Sequence, residues 1–427
     1  MSTSRRKFLK SAGLTILGCG LAQSMPKHVS AAALKMMDAV QVLPGNGILV
    51  VINLQGGNDG LNTVIPLGEY SLYAALRPNL KIPQANVLTL GDAPSFGFNP
   101  SMTSLKTLYD MGKVAVLPGV GVPHNSVSKF DHAAGVYDFV SADPLHQNYS
   151  SNPTGWLGRY AETTAPGVIP SAVDIGGGSL LLKGPSQRPL SIGSISQFQF
   201  KVKGGSSSKG TPELAAYTDI MAIRRGDSAI AELNRSVRQD ALTNSQTVQD
   251  STANYHPVTY PNTGLANQLK QVAQLIWANL GVRAFSVSTG GFDTHQAQNT
   301  GSSTPHNTLL QNFSDAVSAF YNDLKSLGLQ QNVVMLTISD FGRRPNENSD
   351  IGTDHGYGSV SFAIGDPVKG GVWGNYPSLA SNKLVFGGNL DVTTDYRSMF
   401  ATVLANLYDT DPLPIVGMDM SQSLAFI

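Results

Sequence analysis

Apolar residues recur along this chain in two rhythms. Five short, β-branched runs, each closed by glycine or a polar turn, predict buried strands at residues 47–54, 113–117, 282–288, 332–338 and 359–364. Between and after them, amphipathic stretches predict helices at 101–111, 265–280, 308–327 and 396–407. Continuous apolar strands that alternate with helices predict an α/β fold, with a mostly parallel sheet covered on both faces.

Two regions break this rhythm. Residues 204–262 open with the flexible link Gly204-Gly205-Ser206-Ser207-Ser208-Lys209-Gly210 and continue as a polar helical stretch, which reads as an outer helical insertion. Residues 141–200 are rich in Gly, Pro and Ser and predict long surface loops with short strands; if the protein is a non-catalytic component of an envelope or surface complex, loops 141–210 with Trp156 and Tyr160 carry its partner or glycan contacts, the plain alternative being ordinary loops.

The amino terminus follows a different logic. Ser4-Arg5-Arg6-Lys7-Phe8-Leu9-Lys10 is followed by a mildly apolar run from Ala12 to Ala22 and by small residues at Ala31-Ala32-Ala33. That order is a cleaved signal, and its paired arginines resemble the twin-arginine address read by the export translocon for folded cargo. Residues 1–31 are therefore expected to be removed, leaving a periplasmic or secreted protein. Cys19 offers a lipid-attachment alternative that Leu17 fits poorly. The run is shorter than the roughly 20 apolar residues of a permanent membrane anchor.

Loss of residues 1–31 removes Arg5, Arg6, Lys7, Lys10 and Lys27 and no acid from a balanced 29 basic and 29 acidic residues, leaving a net charge of −5. A mildly acidic surface argues against nucleic acid as the partner. Cys19 is the single cysteine of the sequence, so the mature chain has no disulfide and no thiolate metal site.

Position makes the polar motifs informative. The first predicted strand runs into Gly56-Gly57-Asn58-Asp59-Gly60-Leu61-Asn62-Thr63, the third into Gly290-Gly291-Phe292-Asp293-Thr294-His295, and the fourth into Ser339-Asp340-Phe341-Gly342-Arg343. Thr353-Asp354-His355-Gly356 precedes the fifth. Ligands of doubly wound sheets bind at the rim formed by the strand carboxyl ends. Carboxylates gathered on one rim repel one another unless a cation joins them, and aspartate oxygens with histidine nitrogens suit a divalent ion. The plain alternative for each motif taken singly is turn chemistry.

Together these motifs, with Thr394-Asp395-Tyr396-Arg397-Ser398-Met399-Phe400, resemble the domain-of-unknown-function 1501 family from about residue 45 to the carboxyl terminus. That family is placed in the alkaline phosphatase and sulfatase superfamily. The resemblance implies a three-layer α/β/α sandwich, alkaline-phosphatase-like, with a metal-centred hydrolytic site for a small-molecule or glycan ester of phosphate or sulfate. It implies Asp59, Asp293, His295, Asp340 and His355 as ligands of zinc, manganese, calcium or magnesium. Two departures stand out: Asp293-Thr294-His295 is more tightly spaced than the superfamily pattern, and Phe341 stands where Asp-His is common, so a single-metal or degenerate site stays open. Ser126, just past the second strand, is the nucleophile expected at a helix amino terminus, with Thr63 second; an ordinary helix cap is its plain alternative. Arg343 is expected to hold a phosphate or sulfate oxygen. The rival expectation is a non-catalytic binding or envelope-complex protein that keeps the fold.

Overall fold

The five apolar runs form the spine of a sheet in the computed structural model. It describes residues 46–427 except 125–129, 148–151, 165–168, 188, 200–210, 224–227 and 301–304. The export segment, Cys19 and Ser126 thus lie outside the described residues.

In chain order the strands are β1 Ile48–Leu54, β2 Val64–Pro66, β3 Leu88–Thr89, β4 Phe96–Phe98, β5 Val114–Gly121, β6 Ala172–Asp174, β7 Leu190–Ser191, β8 Ala284–Thr289, β9 Val333–Ser339, β10 Ser359–Ile364, β11 Gly371–Val372 and β12 Thr394–Asp395. Nine of them form one sheet in the order β11-β5-β10-β9-β1-β8-β6-β7, with β12 also on β5, while β2, β4 and β3 make a small separate sheet. β1 lies at the centre, parallel to β8 on one side and β9 on the other. β10 runs antiparallel to both of its neighbours, β9 and β5. Its start therefore lies on the same rim as the carboxyl ends of β1, β5, β8 and β9, which is why the segment preceding β10 joins the segments following the other strands.

Alternation along each strand buries both faces, because successive side chains point to opposite sides. Val50, Ile52, Phe285, Val287, Met335 and Phe362 enter one core with helices α2 Thr103–Asp110, α5 Gly264–Trp277 and α6 His306–Ser326. Leu49, Val51, Val334, Leu336, Ala115 and Leu117 enter a second core, shared with α3 His132–Ser141, α4 Trp156–Ala161 and α7 Tyr396–Thr402. The result is a three-layer α/β/α sandwich. A short helix, α1 Gly60–Thr63, follows β1 directly.

The expectation of long loops with short strands for residues 141–200 holds, with β6 and β7 as the short strands, but the aromatic residues placed on those loops belong elsewhere. Trp156 and Tyr160 sit on α4 and are buried, Trp156 stacked on Phe400 at 4.5 Å and Tyr160 on Tyr408 at 3.9 Å. These rings hold α4 to the carboxyl-terminal layer and are closed to partners or glycans. The insertion contains helices Pro212–Ala222 and Ala229–Thr252. The carboxyl-terminal part of the second is anchored to the core through buried Leu242 and Val248 and a bond from Gln274 Nε2 to the Thr252 carbonyl (3.0 Å).

Candidate active site

Four of the five expected acids and histidines meet on the rim, and one does not. Asp59 caps α1, and its side chain is fully buried (0 % exposed). Its Oδ2 accepts from Arg77 Nη1 at 2.6 Å and from Gln298 Nε2 at 2.7 Å. Burial by itself raises this carboxyl, but the charge and hydrogen bond of Arg77, then His306 and Gln298, bring it below the usual carboxylate range. Arg77 reaches on to the carbonyls of Pro345 (2.8 Å) and Arg344 (2.9 Å). Asp59 is thus neutralised by an arginine and closed to solvent, and its place as a metal ligand is withdrawn. Thr63 is also buried, its hydroxyl donating to the Asp59 carbonyl at 2.7 Å, which withdraws it as a nucleophile.

The open part of the rim carries Asp293, His295 and His355, with a residue the sequence reading passed over, His132. His132 is the first residue of α3, whose Asp131 cap accepts from Ala134 N at 2.9 Å. The helix lies hard against β9's extension at Gly135, where a Cβ would stand 2.2 Å from the Asp340 carbonyl oxygen. His132 Nδ1 is 2.7 Å from Asp340 Oδ2, which also accepts from Gly56 N at 3.1 Å. Asp340 therefore holds His132 from behind, and its Oδ1 is buried without a hydrogen-bond partner. The Nε2 of His132 faces Asp293 Oδ2 at 3.5 Å.

His355 is fixed in the same way. Its Nδ1 donates to the Phe130 carbonyl at 2.8 Å, which leaves Nε2 3.6 Å from Asp293 Oδ1 and 2.9 Å from His295 Nε2. Burial, then the Arg343 and neighbouring histidine charges, depress its pKa against the opposing Phe130 bond, favouring the neutral ring that a metal requires. His295 borders the group, with Nε2 3.1 Å from Asp293 Oδ1 and Nδ1 3.5 Å from Asp354 Oδ1. Phe341 supplies no ligand. Its ring packs under the histidines, 4.4 Å from His355 and 4.8 Å from His132.

Asp293 is the half-open acid of the site, 48 % exposed. Burial raises its carboxyl, and the hydrogen bond and charge of Arg343, with His295 and His132, outweigh that and lower it. Arg343 itself is sealed. Its Nε donates to the Gly57 carbonyl (2.8 Å), Nη1 to Thr353 (2.8 Å), and Nη2 to Gly56, to Phe292 (3.2 Å) and to Asp293 Oδ1 (2.6 Å). With its donors spent on three loops, Arg343 positions Asp293 and the Gly56-Gly57 turn, and the expectation that it grips a substrate oxygen is corrected. That turn needs glycine: Gly56 has φ +113°, and a Cβ there would meet Asp293 N at 2.4 Å.

The residues present fit one cation. Donor atoms of His132, Asp293 and His355 all lie within 4.8 Å of one another. The Nε2 of His132 lies 3.5 Å from Asp293 Oδ2 and that of His355 3.6 Å from Asp293 Oδ1, separations comparable to the roughly 3.4 Å between neighbouring ligands of a tetrahedral ion.

The sequence profile of the family described as "Protein of unknown function (DUF1501)" matches residues 85–411. No curated protein sequence matches the chain. Among solved structures, similarity extends to a protein in the alkaline phosphatase superfamily from Vibrio parahaemolyticus at 9% identity, covering 90% of this chain and 72% of that one, TM-score 0.38. The PsFucS1 sulfatase from Pseudoalteromonas sp. is similar at 11% identity, over 91% and 75% of the two chains, TM-score 0.39. The periplasmic domain of EcEptC from Escherichia coli, in complex with Zn, is similar at 10% identity, over 88% and 85%, TM-score 0.38.

Proposed function

The chain belongs to the DUF1501 family of proteins of unknown function, and from that footing we propose that it is an exported, hydrolase-like protein in which His132, Asp293 and His355 hold one divalent cation beside a site for phosphate or sulfate esters. The observation that carries the reading is the arrangement of the two imidazoles. Each is tied at Nδ1, to the Asp340 carboxylate or the Phe130 carbonyl, and each turns its Nε2 toward the same half-exposed carboxylate. Fixing the tautomer through the second ring nitrogen is how proteins prepare a histidine for a metal.

A divalent ion at such a site polarises a phosphoryl or sulfuryl oxygen and favours ionisation of a nearby nucleophile. The chain's own residues do the rest. Asp340 and the Phe130 carbonyl orient the imidazoles, Arg343 holds Asp293, and His295 beside Asp293 and His355 provides a further donor. Ser126, four positions before Phe130, is the nucleophile of this reading. Two histidines favour zinc or manganese over calcium or magnesium.

A second reading, a cation-dependent binding protein without turnover, draws on a specific observation: Arg343 and Thr63 are both engaged internally. Metal analysis of purified protein, with a panel of phosphate and sulfate esters on wild type, Asp293→Asn and Ser126→Ala, separates the two. Bound metal with turnover lost in both variants supports the hydrolase; bound metal with no turnover on any ester supports the binding protein; no bound metal contradicts both.

Export through the twin-arginine translocon belongs to the same proposal. It is supported by the Arg5-Arg6 pattern and by the finding that no described helix is long and apolar enough to cross a membrane. Replacing both arginines by lysine is expected to hold the protein in the cytoplasm, as read by cell fractionation.

A further inference from the structure

Three imidazoles follow one rule on this rim. Each brings Nε2 close to an oxygen of Asp293: His132 at 3.5 Å, His355 at 3.6 Å and His295 at 3.1 Å. Each also sets Nδ1 against a protein oxygen. His132 has Asp340 Oδ2 at 2.7 Å, His355 has the Phe130 carbonyl at 2.8 Å, and His295 faces Asp354 Oδ1 at 3.5 Å. His295 Nε2 is also 2.9 Å from His355 Nε2. Neighbouring ligands of one ion stand roughly 3.0–3.4 Å apart when each bond is about 2.1 Å, so these distances suit His295 as a ligand beside Asp293 and His355. Asp354 itself is half exposed and has no part in the ester-site reading.

The segment from Asn348 to Asp354 is folded around His295, and one amide organises it. Asn348 Nδ2 donates to the His295 carbonyl at 2.8 Å and to Asp354 Oδ1 at 2.9 Å. A single group thus ties the backbone of His295 to the carboxylate that faces its ring. Asn348 Oδ1 accepts from Asp350 N and Gly352 N, both at 3.0 Å, which fixes the orientation of the amide and closes the loop. Main-chain bonds join the loop to the segment carrying His295: Thr353 N to the Thr294 carbonyl (3.0 Å), Ala297 N to that of Asp350 (2.8 Å) and Gln298 N to that of Ile351 (2.9 Å). Gly352 lies flat on this backbone, where a Cβ would stand 2.2 Å from the His295 carbonyl carbon. Ile351 is held at φ 54°, a left-handed conformation that costs a β-branched residue energy and persists only where the surroundings over-determine it.

We infer that this loop is a positioning device for the cation site: Asn348 holds the His295 backbone and Asp354 together, and Asp354 orients the His295 ring so that it serves as the fourth ligand beside His132, Asp293 and His355. The inference rests on the cation reading above and adds to it one ligand and two positioning residues. A purely structural loop would account for the main-chain bonds and for the closure at Asn348 Oδ1. It gives no reason for the second Nδ2 donor to go to a half-exposed carboxylate, which has water for its lone pairs and gains little stability from the bond. What the bond does is fix where that oxygen sits. An acceptor fixed behind an imidazole at Nδ1 selects the tautomer whose Nε2 is free for a metal.

The test uses full-length protein and zinc, reading affinity by competition with a chelating dye and the number of imidazoles on zinc by X-ray absorption. Wild type should show three imidazoles and His295→Ala two. Asp354→Ala should weaken zinc binding about tenfold. Asp354→Asn keeps an acceptor oxygen facing Nδ1 and removes only a charge that solvent screens, so it should stay within about threefold of wild type. The melting temperature of the metal-free protein should be unchanged in both Asp354 variants. Two imidazoles in wild type overturn the inference and leave the three-ligand site standing. So does an Asp354→Ala variant that binds zinc like wild type, or equal losses in Asp354→Ala and Asp354→Asn, which mark a charge effect. A loss in Asp354→Ala matched by a lower metal-free melting temperature marks a structural loop and overturns it as well. Failure of wild type to bind zinc overturns the cation reading and this inference together.

Discussion

Asp59 and Asp293 follow adjacent strands and end in glycine-lined turns, yet they meet opposite fates. Asp59 is sealed beneath α1, paired with Arg77 and bonded by Gln298. Asp293 is half open, paired with Arg343 on one oxygen and facing imidazoles with both. Each acid has an arginine, so charge neutralisation alone does not distinguish them. What differs is what faces the carboxylate: Asp59 accepts from Arg77 and Gln298 in a sealed interior, whereas Asp293 is faced by the Nε2 atoms of His132 and His355 on an open rim, with His295 beside them. A carboxylate of the first kind serves stability, and one of the second kind serves a ligand.

The largest expected effect breaks the sealed region. Arg77→Met leaves Asp59 buried without its counter-charge and should cost about 3–5 kcal/mol of unfolding free energy. Denaturant titration checks this, and the protein that remains folded should still bind metal as tightly as wild type.

His306 sharpens the same region through pH. It is fully buried, and burial pushes its pKa down to about 4, below that of an unfolded histidine. The unfolded chain therefore takes the proton first. Stability from the neutral ring is complete above about pH 6.5 and lost as pH falls toward 4, by about 2–3 kcal/mol. His306→Asn should flatten the fall in melting temperature across that window.

At the open region, Asp340→Asn weakens the charge behind His132 and should reduce zinc or manganese affinity about 10–100-fold, with the fold intact. Calorimetric titration reads the affinity and circular dichroism the fold. The smallest effect on stability should come from His132→Ala, which is expected to change metal-free stability by no more than about 0.5 kcal/mol while abolishing tight metal binding. A large loss of stability would move His132 into the sealed class.

Much of this was legible in the chain. The apolar runs marked the central strands to within a few residues, and the polar clusters after β1, β8 and β9 and before β10 do fall on one rim, since β10's reversed direction returns its start there. Less legible was which acid turns inward. Arg77 gives no local sign that it will reach Asp59, and the Gln298 bond spans 239 positions. His132 follows no predicted strand directly, and its only local signal is Asp131-His132, a capping acid followed by a histidine after the β5 loop. Trp156 and Tyr160 were misplaced for a related reason: glycine-rich surroundings suggest a loop, while the stacking partners Phe400 and Tyr408 lie more than two hundred residues away.

Anomalous diffraction from crystals grown with zinc or manganese tests the central claim most directly. The account predicts one strong peak within about 2.2 Å of His132 Nε2, His355 Nε2 and an Asp293 oxygen, with none at Asp59. A peak coordinated by Asp59, or none among the three, would contradict it.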